Sequence, residues 1–417
     1  MGFGLRNTFS SFTKNARLWL VSGLFAGLGW SVWSVLFPLY LVQLGYREEL
    51  IGTYNSASAI TMALAAVPMG VWLRTKGRKA PLLAANLGGL LFGCVQVASP
   101  YELHLIVTSA LFGVFQAMFF VVESPFLMDS STPEERSQLF SLNFVCFFSM
   151  FVVGSLAAGY LPSASARLLS VGAESVAAFR CSLVLALMLR LMSSLPLFLM
   201  KETRQETTDT QPVLSSSALP SARSVSKLCF ARLFFALGSG FVMPFIPVLL
   251  RTRLDAGTQV IGAITALTNL GVTLGCLAAP YIEKRLGIMR AISLSILLAA
   301  PLVLIVGTSP VLVIVAVAVI FREALPQTTA PLRQKFSMEV VTHRERSIMA
   351  SLEQLFWQAP WALGAWLGGR LIGVYGYATV FAGAALCYAL SGVSYAVLFG
   401  RESAKLKEGV ELGQPVG

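Results

Sequence analysis

Histidine is nearly absent from these 417 residues, and charge is scarce: Asp, Glu, Lys and Arg together make up 12% of the chain. Soluble globules carry about a quarter charged residues, so the composition excludes an ordinary water-soluble fold. The two histidines, His104 and His343, fall at predicted helix ends or in loops. With no Ser/His/Asp, Cys/His or metal-ligating constellation beside them, an enzyme is not expected, nor is a metal or other cofactor. The six cysteines are scattered through apolar segments without a Cys-x-x-Cys pair and read as reduced packing residues. No Gly-x4-Gly-Lys-Ser/Thr loop occurs, which leaves direct ATP energisation without a site.

What the chain has instead is apolar length. Hydrophobic residues make up 56% of it, in stretches near 18–43, 50–73, 80–99, 103–128, 138–161 and 178–200, and again near 228–250, 258–282, 288–307, 310–332, 347–372 and 378–399. About 20 apolar residues span a bilayer. The expectation is therefore an all-α integral membrane protein of twelve transmembrane helices, six per half. The first stretch follows a basic segment but is longer than a signal h-region and shows no small-x-small cleavage site, so it reads as an uncleaved span.

The net charge of +11 is distributed as membrane topology dictates rather than as a nucleic-acid patch. Basic residues crowd alternate connections, as in Arg74, Lys76, Arg78 and Lys79 after the second span or Lys284, Arg285 and Arg290 after the eighth. The opposite set carries only Arg47, Arg167, Arg180, Arg251, Arg253 and Arg370. Both termini are thus expected in the cytoplasm of a multi-pass plasma-membrane protein, with Trp19, Tyr40, Tyr101 and Tyr375 as interfacial belt residues.

The same pattern occurs twice, 210 residues apart: Ile51-Gly52 becomes Ile261-Gly262, Gly77 becomes Gly287, Glu135-Arg136-Ser137 becomes Glu345-Arg346-Ser347, and Gly154 becomes Gly364. Long-period parallel repeats in apolar chains mark secondary transporters whose halves enclose a central pathway. The expected organisation is an N-terminal bundle (1–200), a Thr/Ser/Gln/Pro-rich cytoplasmic linker (201–226), a C-terminal bundle (227–400) and a short charged tail (401–417). Asn143, Phe147, Met150 and Gly154 in the fifth span match Glu353, Trp357, Pro360 and Gly364 in the eleventh, each set on one helical face. Polar stripes at Tyr54, Asn55, Ser58 and Thr61, and at Thr265, Thr268 and Asn269, should face protein or water rather than lipid.

This arrangement resembles the major facilitator superfamily over nearly the whole chain. The loop after the second span reads Gly70-Val-Trp-Leu-Arg74-Thr75-Lys76-Gly77-Arg78-Lys79, against a family pattern Gly-x-x-x-Asp-Arg-x-Gly-Arg-Arg; Arg74 stands where the acid is expected. The resemblance implies a cytoplasmic latch, here built from Gly70, Arg74, Gly77 and Arg78 with Glu123, Asp129 and Arg136. Simple positive-inside anchoring is the alternative. Leu237-Gly238-x5-Pro244-x-x-Pro247 resembles a first-helix motif of drug exporters in the superfamily, while Gly154-Ser-Leu-Ala-Ala-Gly159 keeps only part of their antiporter motif.

Charges at membrane depth are expensive and mark functional candidates. Arg322 and Glu323 lie eleven residues into the tenth span, about 17 Å deep at 1.5 Å per residue. Successive residues point about 100° apart, so the two need not pair. Either Glu323 is a proton carrier coupled to the state change, or the two are a static brace between helices. Glu353 is the second coupling candidate, with inter-helix bonding as its alternative. Arg190 is read as snorkelling towards the inner surface. The substrate cavity is expected to draw on Trp30, Trp33, Asn55, Asn143, Phe147, Asn269, Gln327, Trp357, Gln358 and Trp361.

Three functions remain in play. Proton-coupled export of hydrophobic or amphipathic small molecules by alternating access leads, on the density of aromatics. Uptake or facilitated diffusion of a small polar metabolite, a sugar or organic anion, is the alternative that Arg322 favours. A transporter-like receptor that binds without turnover is the third. Expected partners are a small-molecule substrate, the lipid bilayer and protons as coupling ion, with no nucleic acid, for a monomer.

Overall fold

The computed structural model describes residues 12–76, 79–99, 101–132, 136–201, 222–330, 332–333 and 346–407. Among these every regular element is helical. The helices are α1 (Lys14–Gln43), α2 (Glu48–Lys76), α3 (Lys79–Ala98), α4 (Glu102–Asp129), α5 (Arg136–Leu169) and α6 (Val176–Phe198). In the second half, α7 runs Ala222–Val242, breaks in a 3-10 turn at Met243–Phe245 and resumes over Ile246–Thr252. Then follow α8 (Thr258–Leu286), α9 (Ile288–Thr308) and α10 (Leu312–Thr328). A last helical stretch, Arg346–Lys407, is divided at Gly376 (φ 76) into α11 and α12. The twelve helices fall where the twelve apolar stretches predict them, and α12 continues beyond the predicted end near 399. Most of the expected linker, and the end of the tail, lie outside the described residues.

Local chemistry explains several boundaries. Thr13 caps α1 by accepting from Ala16 N at 3.3 Å, and Ser175 caps α6 by accepting from Ala178 N at 3.2 Å, each satisfying one of the orphan donors of a first turn. The α7 break falls at Pro244 and Pro247, whose missing N–H groups interrupt the helical ladder. The α1–α2 turn uses Gly45 at φ 86; the repeat-equivalent turn between α7 and α8 puts Asp255 at φ 47, a conformation that Asp tolerates better than most side chains.

Nine helical stretches among the described residues are long and apolar enough to cross a membrane, one of them, Glu353–Phe399, spanning 47 residues and two crossings. Large apolar side chains stand exposed along them, including Leu91, Leu195, Leu274 and Val397. In water such a surface would be costly; against lipid it is the expected outer face. Of the four expected belt residues, Tyr101 and Tyr375 are exposed, whereas Trp19 and Tyr40 are buried and so cannot serve as belt residues. Burial of these two follows from their polar tips: Trp19 finds Asn143, and Tyr40 receives a 2.9 Å bond from Arg180.

The chain folds as two compact units. In the first, α1 packs on α5 and α6, and α3 on α4 and α6. Its core at one end gathers Trp19, Leu20, Leu82, Phe126 and Leu197. In the second, α7 and α9 pack on the α11–α12 stretch, and α9 on α10. Each unit also takes in a short segment from the other half of the repeat: Tyr46–Ser56 belongs to the second unit and Gly257–Ala266 to the first.

Glycine makes both exchanges possible. Gly52 lies against Ala365 O and Gly369 so closely that a Cβ on it would collide, and Ser56 Oγ donates to Ala362 O at 2.7 Å. At the equivalent place in the first unit, a Cβ on Gly262 would meet Ser155 O at 2.6 Å and Gly159 Cα at 2.8 Å. Gly52 and Gly262, like Gly159 and Gly369, are repeat partners, so one contact is built twice. The contact of α2 with the α11–α12 stretch is completed by Tyr377, the first residue of α12, which donates to Glu48 Oε1 at 2.6 Å, and by the Arg370–Glu49 pair at 3.1 Å.

Candidate functional site

The second unit holds a connected set of charged and aromatic side chains on α7, α10, α11 and α12. Arg322 of α10 is 1% exposed. Its Nη2 lies 2.8 Å from Glu323 Oε2 and donates to Tyr388 OH at 3.2 Å. The neighbours therefore do pair, because the Arg side chain is long enough to fold back across the angle between successive helical positions. Tyr388 also shares a 3.0 Å hydrogen bond with Ser239 of α7, and Gln327 Nε2 approaches Glu323 Oε1 at 3.4 Å. Arg322 Nε and Nη1 are buried without a hydrogen-bond partner among the described residues.

Aromatic rings carry this network to a second charged group. The Tyr388 ring lies 5.1 Å from Phe235 between centroids, and Phe235 lies 5.7 Å from Trp357. The guanidinium of Arg232 sits over Trp357 at 5.6 Å and 3.6 Å from Glu353 Oε1. That of Arg333 sits over Phe235 at 5.2 Å and donates to Pro326 O at 2.7 Å and Thr329 Oγ1 at 3.1 Å. Pro326 lies in the last turn of α10, so Arg333 caps a helix end.

The sequence does not single out Arg232, Tyr388 or Arg333. Arg232 carried a signal: it falls four residues inside an apolar span, at a position whose repeat partner is Ser22. Arg333 differs because its guanidinium turns back onto the freed carbonyl of a proline-containing turn instead of reaching outward.

Other predicted site residues divide between the units. In the first, Asn143 accepts from Trp19 Nε1 at 2.8 Å and donates to Glu123 Oε1 at 3.0 Å, which ties α1, α5 and α4 together. Glu123 thus has an amide partner inside its own unit. Of the other predicted latch residues, Gly77 and Arg78 lie outside the described residues, as do the side chains of Arg74, Asp129 and Arg136 and the packing around Gly70. Trp33 stacks on Phe37 at 4.6 Å, Phe147 packs on Phe151 at 5.5 Å, and Trp30, 37% exposed, lies 6.2 Å from Phe112. In the second unit Asn55 donates to Ile51 O of its own helix at 2.8 Å; Asn269, Gln358 and Trp361 are partly buried, except that Asn269 belongs to α8 and the other two to α11.

Arg190 does not snorkel. Its Nε donates to Asn86 O at 3.2 Å and Nη2 to Ala85 O at 3.4 Å, with the guanidinium 5.3 Å over Phe112. The gap at Gly89 of α3 admits it, since a Cβ there would collide with Nη2.

A family model described as Major Facilitator Superfamily matches residues 19–225 and 228–415. No curated protein matches the chain in sequence. Among solved structures, the nucleoside transporter NupG shares 14% identity at a TM-score of 0.71, covering 93% of this chain and 99% of its own. A D-xylose–proton symporter shares 12% at 0.73, covering 92% and 96%. The human organic anion transporter MFSD10 shares 13% at 0.61, covering 92% and 99%. At these identities the likeness is one of fold. The family match spans both halves, and the chain belongs to the major facilitator superfamily, whose members are membrane transporters.

Proposed function

We propose that this member of the superfamily is a secondary active transporter working by alternating access, and that its substrate is a small organic anion with an apolar body. The observation that carries the reading is the charge balance of this cluster in the second unit. Among the described residues, three guanidinia, Arg232, Arg322 and Arg333, stand beside two carboxylates, Glu323 and Glu353. The surplus cation at the end of α10, together with the buried Arg322 N–H groups that have no acceptor there, favours an anionic ligand. Phe235, Trp357 and Tyr388 supply apolar surface beside it, the usual composition of a small-molecule site with few polar anchors. Export of hydrophobic or amphipathic compounds is the second reading, favoured by the same rings and by Trp30. Proton coupling through Glu323 or Glu353, a monomeric state, a plasma-membrane location and cytoplasmic termini complete the proposal; the distribution of basic loop residues supports the orientation.

A thermal-stability screen in detergent tests the substrate class, since a ligand of the folded state raises apparent stability. Benzoate or benzenesulfonate should stabilise the protein more than benzamide or benzylammonium at equal concentration. The reverse order would move the function to the second reading. Uptake of the best ligand into proteoliposomes, with saturation and counterflow, then separates transport from binding without turnover.

A further inference from the structure

Arg190 lies on the inward face of α6, the side that carries Leu183, Leu187, Ser194 and Leu197, all buried; Leu185, Met188, Met192 and Leu195 on the other side are exposed. It stands 14 residues from the start of the helix and eight from its end, about 21 Å and 12 Å at 1.5 Å per residue. A cation at that depth calls for an anion, and none is in contact with Arg190 among the described residues. Its bonds to Asn86 O and Ala85 O, 3.2 and 3.4 Å long, go to carbonyls inside α3 that the helical ladder already uses. They leave from Nε and Nη2, so the two N–H groups of Nη1 have no acceptor among the described residues.

The repeat gives this guanidinium a counterpart. The ring beneath it belongs to Phe112, 5.3 Å away and 210 residues before Arg322. Each unit thus holds a guanidinium at this level of the repeat, delivered by α10 in the second and by α6 in the first. Only the second has a carboxylate beside it. Glu323 pairs with Arg322, whereas its repeat partner is Gly113, where even a Cβ would collide with Ser58 O. Along α4 the nearest carboxylates, Glu102 and Glu123, stand ten and eleven residues from Phe112, about 15–16 Å away.

The surroundings leave room for a ligand. Gly89 opens the gap that the guanidinium occupies, since a Cβ there would collide with Nη2. Arg190 and Phe112 are half-buried, and Trp30, 37% exposed, lies 6.2 Å from Phe112. Charge and open ring surface therefore meet at one place.

We propose that the first unit carries an anion site of its own, with Arg190 as its charge and Phe112 and Trp30 as its apolar wall, and that the ligand is an aromatic carboxylate or sulfonate. The inference stands on other residues than the organic-anion reading of the second unit and goes beyond it. The planar fork of an arginine matches the two oxygens of such a head group, and Nη1 supplies the uncommitted N–H groups. The ligand ring then displaces water from Phe112 and Trp30. A brace between α3 and α6 would need neither the free donors nor the exposed ring.

The test uses the full chain in detergent with benzenesulfonate, read first as a rise in melting temperature. With one site in each unit, saturating ligand stabilises through both, and Arg190→Met should lose about half of the rise seen in the parent. Arg190→Lys restores the charge without the fork and should recover part of that loss. Methanesulfonate, with the same head and no ring, should raise the parent's melting temperature less. The second readout is modification of Arg190 by phenylglyoxal, followed by mass spectrometry of its peptide. Benzenesulfonate should protect Arg190, and benzamide should not. This protection decides alone if Arg190→Met does not fold. An equal rise in the parent and Arg190→Met overturns the first-unit site and leaves the second-unit reading standing, as does an Arg190 that phenylglyoxal does not reach or benzenesulfonate does not protect. An equal rise with methanesulfonate overturns the aromatic ligand class. A rise that Arg190→Met abolishes and Arg322→Met leaves whole keeps the first-unit site and removes the second-unit reading. Neither rise nor protection in the parent overturns both.

Discussion

Asn143 and Glu353 stand at the same place in the two repeats, and each reaches the first helix of its own unit: Trp19 Nε1 donates to Asn143 Oδ1 at 2.8 Å, and Arg232 Nη1 lies 3.6 Å from Glu353 Oε1. One cross-helix tie has diverged into two chemistries. The first-unit version is a neutral amide that passes the bond on to Glu123. The second is an ion pair beside Trp357. Only the second-unit tie joins two opposite charges across the helices.

Glu353→Asn should therefore damage transport more than Asn143→Asp. Removing the Glu353 carboxylate leaves Arg232, whose Nε is already buried without a partner among the described residues, in the field of Arg333 without the carboxylate that acts on both. Loss of one member of a buried pair costs several kcal/mol, and the 3.6 Å separation with 22% and 13% exposure reduces this to about 1–3 kcal/mol. Counterflow in proteoliposomes compares the two variants. Equal rates would show that the tie is structural in both repeats.

Trp19→Phe should cost about 1–2 kcal/mol of stability by leaving Asn143 Oδ1 without its donor. The ring contacts of Trp19 with Phe119 at 5.6 Å and Phe126 at 5.1 Å are compatible with a phenyl ring, so packing is largely kept. A denaturation cycle combining Trp19→Phe with Asn143→Leu checks the assignment: the double variant should lose less than the sum of the two single losses.

Gly369→Val and Gly159→Val should destabilise to a similar extent, by about 1–3 kcal/mol each, because both place side-chain volume where backbones touch. On Gly369 the new Cβ meets Glu48 O at 2.5 Å and Glu49 Cα at 3.2 Å; on Gly159 it meets Gln259 Cα at 3.0 Å. The exposed Arg370–Glu49 pair lies beside the first contact, and exposed pairs contribute little. Arg370→Gln should thus shift the melting temperature far less than Gly369→Val.

Apolar length and the repeat made the twelve helices legible, because bilayer thickness imposes a span length that any sequence must meet. The acids at 323 and 353 were legible too, since charge within an apolar run is visible without coordinates. Their partners were not. Arg232 and Tyr388 come from helices distant in sequence, and which guanidinium reaches which carboxylate depends on packing. The exchange of Tyr46–Ser56 and Gly257–Ala266 was hidden for another reason: repeat partners Gly52 and Gly262 were visible as landmarks, but periodicity does not say which helix a glycine face meets. Arg190 misled because a long cationic side chain has two ways to be satisfied, and the carbonyls of α3 competed with water at the helix end.

That competition yields the last prediction. Arg190 has no carboxylate in contact among the described residues; its partners are two backbone carbonyls and the Phe112 ring. A buried cation without a counter-charge contributes little net stability, because desolvation offsets the bonds it makes. Arg190→Met keeps the length of the side chain and should change the melting temperature only slightly. Gly89→Leu, by contrast, drives a branched side chain into the space the guanidinium fills, where a single Cβ already collides. Overpacking at a site with no room to relax costs about 1–3 kcal/mol or more. In the double variant the shorter-headed Met frees part of that space, and stability should partly recover. If Gly89→Leu is instead as mild as Arg190→Met, the guanidinium moves out of the α3 gap with ease, and the helix-end position expected from the sequence is within its reach.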